Sequence, residues 1–296
     1  MSSPVEHFRT AATTGGLLAG LVEGILRERV DLCAVVDIGA GGGELLTALA
    51  RRRPDLRLAG VDLRTRPAGL DAGVGWAQDR WDVRRHTWTS GEVVDLLARL
   101  PGPVLLVAAE WLDDLPCRWV RWADGCWLEV MVSSDGTTYA GPPLVDEELA
   151  WAQRWWPVGD QAEIGLTRDR AWTDLVAGAR ATGGAALLVD YGHDLSSRPT
   201  AGSLAGYGSG RRLPATLDPS VNLTAHVAVD SARAAGETLG AQTSFAGTLA
   251  ELVESMDPSQ HRPTPADPLA ALVTRSHRSA LRSPRVWGSF RALLQG

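Results

Sequence analysis

Residues 35–46, VVDIGAGGGELL, constrain this chain more than any other stretch, because a buried apolar run breaks into a glycine-dense turn and then resumes as a helix. Val35, Val36 and Ile38 suit a strand covered on both faces. Gly39, Gly41 and Gly43 let the backbone turn sharply and approach a ligand with no side chain between. Leu45, Leu46, Leu49 and Ala50 keep helical spacing up to Pro54. Strand, glycine turn and helix in this order hold nucleotide-like ligands.

The dinucleotide fingerprint G-x-G-x-x-G puts a pyrophosphate on the helix N-terminus, and Glu44 fills its last position here. A carboxylate in the first turn suits the helix dipole but repels a diphosphate; a cofactor with a sulfonium and an amino-acid end tolerates it. The loop Gly39-Ala40-Gly41-Gly42-Gly43, preceded by Asp37, resembles motif I of Rossmann-like S-adenosylmethionine methyltransferases. That resemblance implies S-adenosyl-L-methionine as cofactor, with Asp37, Gly39, Ala40, Gly41 and Gly43 around it. A second apolar strand, 56–61, ends in Asp62, about 20 residues past the loop, where an acid can bind ribose hydroxyls. The bland alternative is a glycine turn of any α/β domain, with Asp62 merely ending a strand.

At 296 residues, the chain has room for one large domain or two small ones. Its net charge of -6 argues against a nucleic-acid binder, and no basic stripe runs along it. All 29 basic residues are Arg. Cys33, Cys117 and Cys126 are too few and too scattered for a disulfide framework or a zinc site, which fits a reducing, cytoplasmic setting. No run reaches the ~18 apolar residues of a membrane span, and the first residues lack the pattern of a secretory leader.

An amphipathic helix carrying Leu17, Leu18, Leu21, Val22, Ile25 and Leu26 precedes the first strand. Further strands are expected at 74–77, 104–109 and 185–191, with helices at 92–100, 146–156 and 168–182. This alternation gives an α/β, doubly wound, mostly parallel sheet in a single domain over 1–296. Turn signals at Asp124-Gly125 and Asp135-Gly136 mark an inserted β-hairpin and helical subdomain at about 117–165. Residues 192–222 are too long for an ordinary connection and form either a mobile or a functional loop. Beyond them come a strand at 224–229, a short helix, helices at 245–254 and 269–281, and a closing strand at 287–294.

Ligands of open α/β sheets lie outside the carboxyl ends of the strands. Three acids stand at such ends: Asp37, Glu110 in AAEWLDDLP, and Asp190 in LVDYGH. AAEWLDDLP resembles the N-E-x-x-D-A-x-P segment of the MidA-like proteins, relatives of the mitochondrial complex I assembly factor with protein arginine methyltransferase activity. Glu110, Asp113 and Pro116 match, and Ala109 stands where that family has Asn. HFRTA (7–11), VDYGH (189–193), NLTAHV (222–227) and the closing WGSFRALLQ extend the resemblance over almost the whole chain. The family usually carries further residues before the point where this sequence starts.

The resemblance implies an S-adenosylmethionine-dependent methyltransferase acting on an arginine of a partner protein, with no nucleic-acid partner. Glu110 and Asp113 would grip the guanidinium, sharing a face if their turn is helical, and His226 would contact substrate or take a proton. The plainer readings are that Asp113 or Asp114 caps a helix, that Glu110 only orders its loop and that His226 is structural. Two other functions stay open. One is a small-molecule methyltransferase, and the other is a cofactor-binding assembly factor with little catalysis, to which Ala109 points.

Overall fold

The computed structural model describes residues 16–208, 211–213, 218, 221–256, 279–283 and 287–296. Helix α1 (Leu17–Glu28) precedes β1 (Ala34–Ile38), α2 (Glu44–Arg52), β2 (Arg57–Asp62), β3 (Gly75–Gln78), α3 (Glu92–Arg99) and β4 (Val104–Ala109). Four strands then form a separate antiparallel sheet: β5 (Arg118–Ala123), β6 (Cys126–Val132), β7 (Thr138–Pro143) and, after α4 (Asp146–Trp155), β8 (Gln161–Ile164). Helix α5 (Leu166–Ala181) returns the chain to the main sheet at β9 (Ala185–Asp190). A small sheet of β10 (Ala205–Gly208), β11 (Arg211–Leu213) and β12 (Asn222–Thr224) follows. Helix α6 (Val229–Glu237), β13 (Thr243–Thr248), α7 (Leu249–Ser255) and β14 (Arg291–Gln295) complete the order.

The main sheet runs β13-β14-β9-β4-β1-β2-β3. Neighbours from β3 to β9 are parallel, and β14 lies antiparallel between β9 and β13. The chain winds outward from β1 through β2 to β3, then returns to place β4 on the other side of β1, so the topological switch point lies between β1 and β4.

Both faces of the sheet are buried, which explains the unbroken apolar runs. Val35, Leu105, Val107, Leu187 and Val189 face α1, α2 and α7 through Leu18, Val22, Leu46 and Leu252. The alternate residues Val36, Ile38, Leu106, Ala108 and Leu188 face α3, α5 and α6 through Leu96, Trp172, Leu175 and Ala232. No described helix is long and apolar enough to cross a membrane.

Toward the C-terminal end the elements differ from those the sequence suggests. The helix expected at 245–254 is strand β13 followed by α7, because Thr243–Thr248 finds a backbone partner in β14. The helix begins only at Thr248, whose Oγ1 accepts from the Glu251 N–H at 3.2 Å while the Thr248 N–H donates to the Glu251 carboxylate at 2.7 Å. The strand expected at 224–229 is split into β12 and a short parallel bridge of 227–228 to 192–193. The closing strand starts at Arg291, later than expected. Residues 7–11 and most of the helix expected at 269–281 lie outside the described residues; 279–282 are helical.

Candidate active site

The glycine loop joins β1 to α2, and Gly39, Gly41 and Gly43 all have positive φ, +74°, +61° and +77°. A Cβ on Gly39 would lie 3.0 Å from the indole of Trp111, and one on Gly43 2.9 Å from Leu70. A side chain at either would meet both backbone strain and a packed neighbour. Ala40 is buried beneath the turn, its N–H donating to Val61 O at 3.0 Å. The Glu44 carboxylate folds back to accept from the Gly42 N–H at 3.1 Å, so it closes the loop from outside.

Asp37 sits next to last in β1, 3% exposed, and its Oδ2 has no hydrogen-bond partner among the described residues. Burial pushes this carboxyl well above the usual range, with the Glu44 and Asp62 charges adding to the effect. A cation reaching such a buried acid favours its ionised form. Asp62, ending β2, reaches the loop directly: its Oδ2 accepts from the Gly41 N–H at 2.8 Å and its Oδ1 from the Arg64 N–H at 2.9 Å.

Across the switch point the chain leaves β4 at Glu110, which takes φ +50° while its N–H donates to Val189 O at 2.9 Å. A non-glycine residue in this conformation is strained by about 1 kcal/mol or more, and such strain collects at working sites. The segment from Glu110 to Asp113 is an irregular turn, so the helical face expected to unite the two acids does not exist. Asp190, at the end of β9, unites them instead. Its Oδ2 accepts from the Leu112 and Asp113 N–H groups at 3.0 and 3.3 Å, and its carboxyl lies beside those of Glu110 and Asp113.

Asp113 and Asp190 are 5% and 0% exposed, their carboxyls lie within hydrogen-bonding reach of each other, and among the described residues no donor reaches the Oδ1 of either. Burial, then the Glu110 charge, push the Asp190 carboxyl up to about 7. Burial and Asp190 raise Asp113 well above the usual range. Below it, Arg168 of α5 is 3% exposed and donates to four backbone carbonyls: Asp113 at 2.7 Å, Leu115 at 3.0 Å, Ala225 at 2.7 Å and His226 at 3.2 Å. This guanidinium ties the turn after β4 to the turn after β12, and its charge favours the ionised form of Asp113 and Asp190.

His226 lies in that second turn, exposed, its ring stacked on Tyr191 with centroids 6.0 Å apart and planes at 18°. Burial, then the charges of Glu110, Asp113 and Asp190, raise the Tyr191 phenol, and His226 stacks on its ring. The His226 N–H is fixed by Ser203 Oγ at 2.8 Å, and Ser203 is held by the buried Glu163 of β8. The segment from 192 is thus an anchored connection over its described part. His193 lies behind the Tyr191–His226 pair, its ring centroid 6.3 Å from that of His226. It is buried edge-to-face on Trp156, accepts from Arg198 through Nδ1, and is held neutral by a pKa lowered to about 2, chiefly through burial. Sequence reasoning missed Arg168, whose four partners are more than 50 residues away, and treated Asp190 only as a strand end.

A parallel sheet with an antiparallel penultimate strand and a glycine loop after its first strand is the Rossmann-like fold found in methyltransferases. The Methyltransf_28 model, described as an S-adenosyl-L-methionine-dependent methyltransferase family, matches residues 63–246, and the chain belongs to that family. Its cofactor is S-adenosylmethionine.

Among solved structures, a COG1565 superfamily member from Burkholderia thailandensis bound to S-adenosyl-homocysteine superposes with a TM-score of 0.68 at 22% identity, covering 98% of this chain and 79% of that one. A native crystal structure of a COG1565 superfamily protein from the same organism gives 0.65 at 21% identity, covering 97% and 80%. Both likenesses concern the fold. The trans-aconitate 2-methyltransferase of Rhodococcus jostii (strain RHA1) is 33% identical over 143 residues, 44% of this chain, and the chain spans only half the length of that relative.

Proposed function

We propose that this methyltransferase modifies an arginine side chain of a partner protein. The observation that carries the reading is the buried Asp113–Asp190 carboxyl pair beside Glu110 next to the cofactor strand, in which no donor from the described residues reaches either Oδ1. Buried acids without partners are costly unless a cation completes them. A guanidinium completes two at once, in parallel hydrogen bonds an ammonium cannot match. A polycarboxylate acceptor such as trans-aconitate would meet like charge here.

The residues of the glycine loop fit the cofactor. Unpartnered Asp37 Oδ2 can receive an ammonium, Gly39, Ala40, Gly41 and Gly43 leave room along the backbone, and Asp62 can receive ribose hydroxyls. The bound cofactor supplies a methyl group on a sulfonium, already activated for displacement. The protein's work is to align the nucleophile and handle its proton. Asp113 and Asp190 hold two guanidinium nitrogens, which points the third away from them. Glu110 takes the proton released when that nitrogen is methylated, and His226, stacked on Tyr191, lines the approach.

Methyl label from S-adenosylmethionine, followed through a lysate by mass spectrometry, is expected in arginine residues of a protein; label confined to small metabolites would overturn the arginine acceptor. Glu110→Gln is expected to bind S-adenosylhomocysteine normally and lose most turnover, and undiminished turnover would remove Glu110 from the mechanism. Ala109, which gives β4 no side-chain amide at its end, favours a second reading as a cofactor-binding assembly factor. Cofactor binding without transfer to any fraction would select it.

A further inference from the structure

Asp62 is the acid that the reading above assigns to the cofactor ribose, and in this structure its acceptor capacity is already taken. Oδ2 receives the Gly41 N–H at 2.8 Å and Oδ1 the Arg64 N–H at 2.9 Å. The Arg64 guanidinium then adds Nε to Oδ1 at 3.0 Å and Nη2 to Oδ2 at 3.4 Å. A carboxylate has about four lone-pair sites, so four donors fill it. The Asp62 side chain is only 10% exposed, which leaves little room for a fifth.

The two backbone donors belong to the loop and the strand end, and they stay wherever Arg64 goes. The guanidinium is different. Its Nε–H and Nη2–H form a fork that gives one donor to each carboxylate oxygen, and the vicinal hydroxyls of a ribose offer the same two-donor pattern. The Arg64 side chain is 41% exposed, so its guanidinium already meets water on one side. It also overhangs the glycine loop, with Nη2 3.4 Å from the position of a Cβ on Gly41.

We propose that Arg64 is an affinity-determining residue of the cofactor site, an internal stand-in for the ribose diol that the cofactor displaces from Asp62. Binding exchanges one bidentate donor pair for another, so each cofactor molecule must break the Arg64–Asp62 ion pair before Asp62 can hold it. Arg64 lowers affinity for the methyl donor and its thioether product alike. The exchange also makes binding salt-sensitive in an unusual direction: screening weakens the ion pair that competes.

The proposal rests on Asp62 being the ribose acceptor, and calorimetry separates the two ideas. S-adenosylhomocysteine is titrated into the wild-type chain, Arg64→Ala, Arg64→Gln and Asp62→Asn at low and at high salt. Both Arg64 variants are expected to bind about 2- to 5-fold more tightly than wild type at low salt, the scale of a partly exposed ion pair. That advantage should shrink as salt rises, while Asp62→Asn binds at least about tenfold more weakly. Equal or weaker binding by the Arg64 variants, with Asp62→Asn still impaired, would overturn Arg64 as a competitor and make it a cofactor contact or an orienting group. Undiminished binding by Asp62→Asn would instead remove the ribose assignment, and the exchange with it.

Discussion

A carboxylate at a strand end is an ordinary thing; what distinguishes Asp190 is that it carries two backbone N–H donors on one oxygen and none on the other. Burial and the Glu110 charge raise it to about 7 from 3.8, so near neutrality it is poised between forms. Gripping a guanidinium requires the ionised form. We expect kcat/KM for an arginine acceptor to fall as pH drops below 7, by about tenfold or more per pH unit because both Asp190 and Asp113 take up protons, since this ratio reports the free enzyme. NMR titration of the carboxyl carbons gives an independent check. In Glu110→Gln the Asp190 midpoint should move toward lower pH, because the charge that raises it is gone. An unmoved midpoint would mean that Glu110 is not its electrostatic neighbour. Asp37, Glu110 and Asp190 were legible as candidates because strand ends of an open α/β sheet are read directly from apolar runs.

At the level of elements, the glycine loop, β1, β2, β4 and β9 were legible because strands buried on both faces write themselves as unbroken apolar segments. β13 was not, since its only large apolar residue is Phe245 and its partner lies some 45 residues away. The Thr248-x-x-Glu251 box was nevertheless present as a start signal that bounded the helix. Arg168 illustrates the opposite limit: one side chain in TRDRAW joins two turns whose sequence positions give no hint of proximity. Arg168→Met should leave those carbonyls without donors and remove the cation that steadies Asp113 and Asp190. We expect a loss of at least about 3 kcal/mol in denaturant unfolding, with S-adenosylhomocysteine affinity in the folded fraction little changed, because the glycine loop is not among its contacts. A loss under about 1 kcal/mol would show the turns to be held by other contacts.

For the molecule as a whole, the site is an agreement among distant stretches: the loop at 39–43, the turn at 110–113, the end of β9 and the turn at 225–226. The last strand of the sheet in sequence, β14, is an inner one, hydrogen-bonded to β9 on one side and β13 on the other. Its Gln295 is fully buried, accepting from Trp172 Nε1 at 2.7 Å and donating to Arg233 O at 3.0 Å and Thr243 Oγ1 at 2.9 Å. During synthesis this has a price in time. Until residue 295 has left the ribosome, β9 shows an open apolar edge and β13 lacks the strand it pairs with, so up to that point the nascent chain carries an unfinished sheet. A chain cut before Arg291 is expected to make soluble aggregates that bind a hydrophobic dye, and to be rescued in part when a peptide of residues 287–296 is supplied during refolding. A monomeric, cooperatively melting product from the cut chain would show that the sheet closes without its inner strand.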